Sequence, residues 1–170
     1  MILSDRDIAR YMKKGVISIT PAPKKEQIGP ASIDLTLSNE FWKPKKKIHK
    51  IDISKVGFSD VMEGFTAAAV ELKPGDMILG KTVERIELPA NISGRLEGRS
   101  SFARLGLAIH VTSSFIQPGS RNHQILEIVN FSKQKILIRA GMRLSQVIFE
   151  ELMSSTSRPY AKFGRIARDQ

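Results

Sequence analysis

The sequence predicts an all-β fold, either a barrel or a sandwich, that is mainly strand with a few short helices. Short β-branched and apolar runs recur at intervals of roughly 8–12 residues, which is typical of strands in such folds. Glycine and proline turns separate these runs, as at Lys73-Pro74-Gly75-Asp76 and at Ala140-Gly141. Strands do not alternate with long helical segments, so the pattern disfavours a doubly wound parallel sheet.

The length of 170 residues predicts a single domain over residues 1–170, because domains usually contain roughly 100–200 residues. Apolar residues make up 41% of the chain, which is enough to bury a core. The chain has no apolar run near the roughly 18 residues that a spanning helix requires. Its first seven residues carry acids where a signal peptide is basic. We therefore expect a cytoplasmic protein without a membrane partner.

The charge and the cysteine content narrow the function. There is no cysteine, which excludes disulfides, cysteine nucleophiles and thiolate metal ligands. The 27 Lys and Arg against 17 Asp and Glu give a net charge of +10, which favours an anionic partner. Nucleic acid is a weaker candidate than a nucleotide, because only 6% of residues are aromatic and most of these lie in strand-like segments.

The N-terminal segment, residues 1–15, contains a predicted amphipathic helix. Ser4 suits its N-cap, Ile8, Tyr11 and Met12 share one face, and Gly15 suits its end. After it the chain shows strand patterns, such as the alternation of apolar and polar residues between 33 and 37. The predicted strands cover residues 16–20, 33–37, 65–72, 77–88, 92–97, 124–131, 136–138 and 144–149.

Three polar segments stand out from this pattern. Asp34 lies inside a strand, and the residues leave open whether it faces solvent or has a function. The lysine-rich run 43–50 is typical of a solvated loop or a protected sheet edge. The tail, residues 153–170, is Ser-rich and then basic, with too little apolar content for a core. We expect a mobile terminus whose charge suits a lid over a bound polyanion.

The segment richest in anion-binding groups is EGRSSFARLGL, which begins at Glu97. Arg99 and Arg104 can each direct a planar fork of donors at phosphate oxygens. The hydroxyls of Ser100 and Ser101 add further donors, and the preceding glycine lets backbone N–H groups approach a ligand. The residue types alone leave open a second interpretation, in which a polar turn leads into a short helix with solvated arginines.

This segment resembles the phosphate-binding signature of the dCTP deaminases, a branch of the dUTPase-like superfamily. Residues 30–35 (PASIDL), 81–89 and 143–149 are similar to other motifs of these proteins, and the resemblance covers most of residues 1–150. It implies a distorted β-barrel of the dUTPase type. It also implies a homotrimer with three sites at the subunit interfaces.

Glu127 is the candidate catalytic carboxylate. Its strand neighbours are apolar, and an acid in a buried strand is costly unless it is paired or functional. The residues alone leave open an outward-facing acid or a salt bridge to an arginine. Leu126-Glu127 followed by Asn130 resembles the frame of the family's acid/base glutamate. The resemblance implies that Glu127 deprotonates a water, which attacks C4 of cytosine and releases ammonia, while Ser100 and Arg104 hold that water.

The resemblance also implies the substrate and its contacts. We expect dCTP to bind as its Mg²⁺ complex, without an intrinsic metal cofactor, and dTTP is a candidate feedback inhibitor. A zinc deaminase of the usual kind is excluded, because its site requires cysteines. The implied substrate-binding residues are Arg99, Ser100, Ser101, Arg104, Gln117, Ile125, Glu127, Tyr160 and Lys162.

Three departures from the family pattern keep alternatives open. Gln117 occupies the place of an aspartate that activates water in dUTP-hydrolysing members, and an amide cannot act as a base. Asn122 replaces a glycine, and the tail offers Tyr160 and Lys162 without an obvious glutamine. One alternative is a dUTP pyrophosphatase, or a bifunctional enzyme that forms dUMP, although Gln117 argues against both. The other is a non-catalytic relative that binds nucleotides or nucleic acid.

Overall fold

The computed structural model describes residues 1–46 and 50–163, and it confirms the all-β prediction. The strands are β1 (Ser18–Thr20), β2 (Ile33–Pro44), β3 (Met62–Thr66), β4 (Ala69–Leu72), β5 (Met77–Glu87), β6 (Ile92–Gly98), β7 (Leu107–Ile109), β8 (Phe115–Ile116), β9 (Arg121–Asn130), β10 (Ile136–Arg139) and β11 (Arg143–Glu151). The helices of this part of the chain are α1 (Asp5–Lys13), α2 (Phe58–Val61), α3 (Ser100–Ala103) and α4 (Tyr160–Phe163), and a 3₁₀ turn covers Lys25–Gln27. None of these helices is long and apolar enough to cross a membrane.

Most strands form one antiparallel sheet that curls back on itself. Its order is β7-β9-β5-β2-β11-β6-β8, with β1 added to β5 and β3 added to β2. The curl brings β6 beside β7. A Cβ placed on Gly98, at the end of β6, would lie only 3.6 Å from the Cβ of Ile109 on β7. Strands β4 and β10 form a separate two-stranded sheet. The arginine–serine segment after β6 therefore lies next to β7, and through β7 next to β9.

Two apolar clusters form the core. The first joins α1, β1 and the start of β2 to β6, β8 and β11, and Leu35 and Phe149 are fully buried in it. The second joins the rest of β2 to β5, β7 and β9, and it contains Phe41 and Leu126. The buried face of β2 runs along both clusters: Ile33 and Leu35 belong to the first, and Leu37 and Phe41 to the second.

The N-terminal helix has the predicted ends and face. The Ser4 hydroxyl accepts a hydrogen bond from the Asp7 N–H, and the Asp7 carboxylate accepts one from the Ser4 N–H, which completes a capping box. Ile8 is buried in the first cluster and Tyr11 packs against it. Gly15 follows the helix with a φ of +68°, a conformation that glycine adopts without strain.

Three segments differ from the sequence predictions. The run 65–72 is not one strand, because β3 pairs with β2 whereas β4 pairs with β10. The strand predicted over 16–20 is shorter, since only Ser18–Thr20 pairs with β5. In the lysine-rich run, Lys43 belongs to β2 and lies 3.3 Å from Glu63, while Lys46 and Lys50 are exposed. Residues 47–49 of that run lie outside the described residues.

Candidate active site

Strand pairing brings the start of the arginine–serine segment close to the strand that carries Glu127. Gly98 ends β6, and α3 carries Ser100 and Ser101 and packs on β7. Strand β7 pairs with β9, and just after β7 the His110 N–H donates a hydrogen bond of 3.0 Å to the main-chain oxygen of Glu127. Residues that are far apart in sequence thus meet along one side of the sheet.

Glu127 is half-buried on the outward face of β9, as one of the two structural alternatives foresaw. Its Oε2 accepts hydrogen bonds from the N–H groups of Val111, at 2.9 Å, and of Thr112, at 2.7 Å. The Thr112 hydroxyl donates to Oε1 at 2.9 Å. Burial raises the pKa of Glu127, but the bonds from Thr112, the proximity of His110 and the bond from Val111 outweigh burial and lower it. Glu127 is therefore a carboxylate at neutral pH.

His110 is a feature of the site that the sequence analysis missed. It has a φ of +60°, and both of its ring nitrogens are buried without a hydrogen-bond partner among the residues that the structure describes. Burial lowers the pKa of His110 to about 4, against the opposing effect of Glu127. Its imidazole is therefore neutral at physiological pH. Only the pairing of β7 with β9 places this ring near Glu127, so no local sequence pattern marks it.

A cavity of about 140 Å³ opens beside His110. Three predicted substrate contacts, Gln117, Ile125 and Tyr160, line it, and so does Gln124. No lining residue is Asp, Glu, Lys or Arg, so the lining is uncharged at neutral pH. Such a lining suits an uncharged polar group, such as a nucleobase or a sugar, better than a phosphate.

In residues 1–46 and 50–163 no three His, Cys, Asp or Glu side chains are grouped to hold a metal ion.

One rim of the cavity is the turn that begins at Gln117. The Ser120 N–H donates to the Gln117 carbonyl oxygen at 3.1 Å, and Gly119 has a φ of +83°, as expected for a type II turn with Pro118 at its second position. Ser120 is buried, whereas Gln117 is exposed. The Gln117 side chain therefore lies at the mouth of the cavity.

The described part of the tail is anchored over this turn. The Tyr160 N–H donates to the Pro118 carbonyl oxygen at 2.9 Å. A Cβ added to Gly119 would lie only 2.7 Å from the Cβ of Pro159. Up to α4 the tail packs on this turn, because Gly119 has no side chain and leaves room for it. Lys162 is exposed in α4, and residues 164–170 lie outside the part of the chain that the structure describes.

The anion-binding residues form a separate surface in a single chain. Ser100 and Ser101, in the first turn of α3, and Arg104 are exposed, whereas Arg99 is half-buried. None of these four side chains lines the cavity, and none hydrogen-bonds to Glu127. The structure thus divides the predicted site into two parts. One is the cavity, with Glu127 next to its lining residue His110 but outside the lining, and the other is a polar surface with two arginines.

Asp34 belongs to that polar surface. Its Oδ2 lies 3.3 Å from the Nε of Arg99 and 3.7 Å from a guanidinium nitrogen of Arg143, and its side chain is only 14% exposed. Burial raises the pKa of Asp34, and the two arginines oppose this. The sequence left its role open, because β2, β6 and β11 meet only in the folded sheet. Asp34 thus forms an ion pair with Arg99 in the folded sheet.

Comparison with known proteins decides the family. Residues 2–152 match the family model described as "dCTP deaminase-like". The chain belongs to this family. A dCTP deaminase from Rhodospirillum rubrum is 42% identical over 172 residues, which cover 95% of this chain and 88% of that protein. A protein named "dCTP deaminase, dUMP-forming" from Methanothermobacter thermautotrophicus is 40% identical, with 99% of this chain and 86% of that protein covered.

Solved structures show the same fold. The 2′-deoxycytidine 5′-triphosphate deaminase from Agrobacterium tumefaciens matches with a TM-score of 0.70 at 23% identity, over 88% of this chain. This chain spans only 48% of the length of that one. A dUTPase from phage phi11 of S. aureus matches with a TM-score of 0.56 at 14% identity. The predicted resemblance to dCTP deaminases and the dUTPase-like fold are both confirmed.

Proposed function

We propose that this protein deaminates dCTP hydrolytically, forming dUTP and ammonia in pyrimidine deoxynucleotide metabolism. The observation that carries the proposal is an ionised carboxylate, Glu127, held by three donors and adjacent to His110, which lines an uncharged cavity. Membership of the dCTP deaminase-like family supports the substrate. We include a cytoplasmic location in the proposal, because deoxynucleotide pools are metabolised there.

The proposed reaction uses Glu127 as acid and base. Its Oε1 accepts one short hydrogen bond, from the Thr112 hydroxyl, so it retains an acceptor site for a water. Glu127 takes a proton from that water, and the hydroxide attacks C4 of the cytosine. The carboxyl then protonates N3. Glu127 next takes the proton of the hydroxyl group formed at C4 and passes it to the departing amine, so that dCTP and water become dUTP and ammonia. A positioned general base of this kind contributes roughly 10²–10⁴-fold in rate.

The polar surface is proposed to bind the triphosphate with its Mg²⁺. Arg99 and Arg104 supply charge, and Ser100 and Ser101 supply hydroxyls. Because none of them lines the cavity of its own chain, we propose a homotrimer in which this surface completes the cavity of a neighbouring subunit. Next to the surface, Leu105 and the Phe131 that follows β9 are 68% and 67% exposed, and a contact between subunits would cover them. The proposal extends to dTTP, which shares the triphosphate, as an inhibitor at this site.

The proposed end product is dUTP. Gln117 at the mouth of the cavity is an amide, and no carboxylate lines the cavity to activate water against a phosphate. The dUMP-forming relative makes the bifunctional enzyme the alternative, with pyrophosphate as its second product. Release of pyrophosphate therefore separates the two functions.

The proposal is tested by incubating the full chain with dCTP and Mg²⁺ and measuring ammonia, dUTP, dUMP and pyrophosphate together. The Glu127→Gln variant is compared with Glu63→Gln, which changes an exposed glutamate on β3. We expect equimolar ammonia and dUTP without pyrophosphate, a loss of roughly 10²-fold or more in Glu127→Gln, and no loss in the control. No ammonia from the wild type, or full activity in Glu127→Gln, would overturn the proposal. Equimolar pyrophosphate would establish the bifunctional enzyme.

A further inference from the structure

A buried acid outside the proposed mechanism lies between the two parts of the site. Glu84 on β5 is 3% exposed and is the one buried Asp, Glu, Lys or Arg in the described part of the chain. Its Oε2 accepts a hydrogen bond of 2.7 Å from the Thr36 N–H, and its Oε1 accepts one of 2.8 Å from Nε2 of Gln27. A buried carboxylate is costly unless donors satisfy it. Glu84 therefore ties both of these groups firmly in place.

Glu84 lies in a bulge of β5. Lys81 pairs with Ile125 and Arg85 pairs with His123, so four steps along β5 oppose two steps along β9. Strand β5 therefore contains two extra residues between these pairs. Bulges bend a strand and redirect its side chains, and they are frequent next to active sites.

The Thr82 hydroxyl takes the place of a missing ladder partner inside the bulge. The N–H of Gln124 donates to the Thr82 Oγ1 at 2.9 Å, and that hydroxyl donates to the main-chain oxygen of Glu84 at 2.8 Å. Thr82 is fully buried. Gln124 lines the cavity, and Glu127 follows it by three residues on β9. The hydroxyl thus fixes the segment that presents the catalytic carboxylate.

The opposite end of the network reaches the arginine surface. Nε2 of Gln27 donates to Glu84 and also, at 2.9 Å, to the main-chain oxygen of Asp34. The Asp34 carboxylate in turn lies 3.3 Å from Arg99. A continuous run of hydrogen bonds and one ion pair therefore leads from the cavity wall to the proposed triphosphate site.

We propose that Thr82 and Glu84 are positioning residues for the deamination. Thr82 holds the register of β9 so that Glu127 stays on the outward face of the strand, next to His110, and Glu84 acts through Gln27 to hold Asp34 and Arg99. Because side chains alternate along a strand, a slip of one residue in β9 would turn Glu127 towards the core. The inference rests on the proposed function. It predicts that the Thr82 end of the network affects kcat and that the Gln27 end affects KM for dCTP.

The first test compares Thr82→Val, which removes the hydroxyl at similar shape, with Thr82→Ser, which keeps it. Ammonia release from dCTP gives kcat and KM, normalised to folded protein by circular dichroism and size-exclusion chromatography. We expect kcat to fall roughly tenfold or more in Thr82→Val, because small misplacements of a catalytic group cost up to about 10²-fold, and to stay within about twofold in Thr82→Ser. Thr66→Val, an exposed substitution on β3, serves as the control.

The second test is Gln27→Met, which keeps the length of the side chain but removes the amide that bridges Glu84 and Asp34. It also tests the inference if Thr82→Val fails to fold. We expect KM for dCTP to rise roughly fivefold or more with kcat little changed, because only the arginine end of the network is released. A general loss of stability would not lower kcat selectively in Thr82→Val and raise KM selectively in Gln27→Met. Wild-type kcat and KM in both folded variants would overturn the inference. A wild-type chain without deaminase activity would instead refute the proposed function.

Discussion

Acid is expected to destabilise this protein through His110. Its ring nitrogens are buried without partners in the described chain, and burial lowers the pKa of the side chain from 6.5 to about 4. The unfolded state takes up a proton that the folded state resists, so stability falls as the pH drops below 6.5 and the loss is complete near pH 4. With these two pKa values, linkage gives a loss of about 2 kcal/mol at pH 5 and about 0.2 kcal/mol at pH 7.

The assay is urea denaturation of the wild type and of His110→Asn at pH 7 and pH 5, at one fixed protein concentration. Asparagine tolerates the positive φ of this position better than most residues, and it does not titrate in this range. We expect the wild type to lose about 2 kcal/mol more than the variant between the two pH values. The free energy of unfolding at pH 5 is compared with that at pH 7 for each protein separately. Any loss of stability that the substitution causes equally at both pH values therefore cancels.

An equal pH dependence in both proteins would refute this argument. It would mean that the folded state accepts a proton on His110 as easily as the unfolded chain does. The ring would then have a partner or free access to water, and the cavity could not be described as uncharged in mild acid.

Three further predictions concern the turn, the tail and the arginine surface. Asp34→Asn removes the charge that holds Arg99, and we expect steady-state kinetics to show KM for dCTP raised roughly tenfold, whereas an unchanged KM would show that Arg99 needs no such support. Gly119→Ala strains a positive φ and collides with Pro159, so limited proteolysis is expected to cut the tail faster than in the wild type, and equal rates would contradict the proposed packing. Gln117→Asp restores a carboxylate at the cavity mouth, and we expect pyrophosphate release above the wild-type background; its absence would mean that Gln117 is not what limits hydrolysis.

Local sequence patterns predicted most of the fold because their causes are local. The alternation that begins at Ile33 appears as alternating burial along β2, and the Ser4 cap forms as expected. The turn at Lys73-Pro74-Gly75-Asp76 closes with a hydrogen bond of 3.0 Å from the Asp76 N–H to the Lys73 carbonyl oxygen. The break between β3 and β4 was not predictable, because it depends on which distant strand each one pairs with.

The site was predictable only in part, because its residues come together through pairings between strands that are distant in sequence. Resemblance picked out Glu127 and the segment that starts at Gly98, and it implied sites at subunit interfaces, but it did not say which side chains lie together on one surface of a single chain. The positions of His110, Asp34 and Glu84 follow from pairings between strands that are distant in sequence. No window of sequence around these three residues carries that information.

The central claim is that water attacks the base and not a phosphate. The most direct measurement is a reaction with dCTP in H₂¹⁸O, followed by mass spectrometry of the nucleotide fragments. We expect one ¹⁸O atom in the carbonyl group at C4 of the uracil of dUTP, none in the phosphates, and no labelled product above background in Glu127→Gln. Label in a phosphate group, or an unlabelled base, would contradict the account.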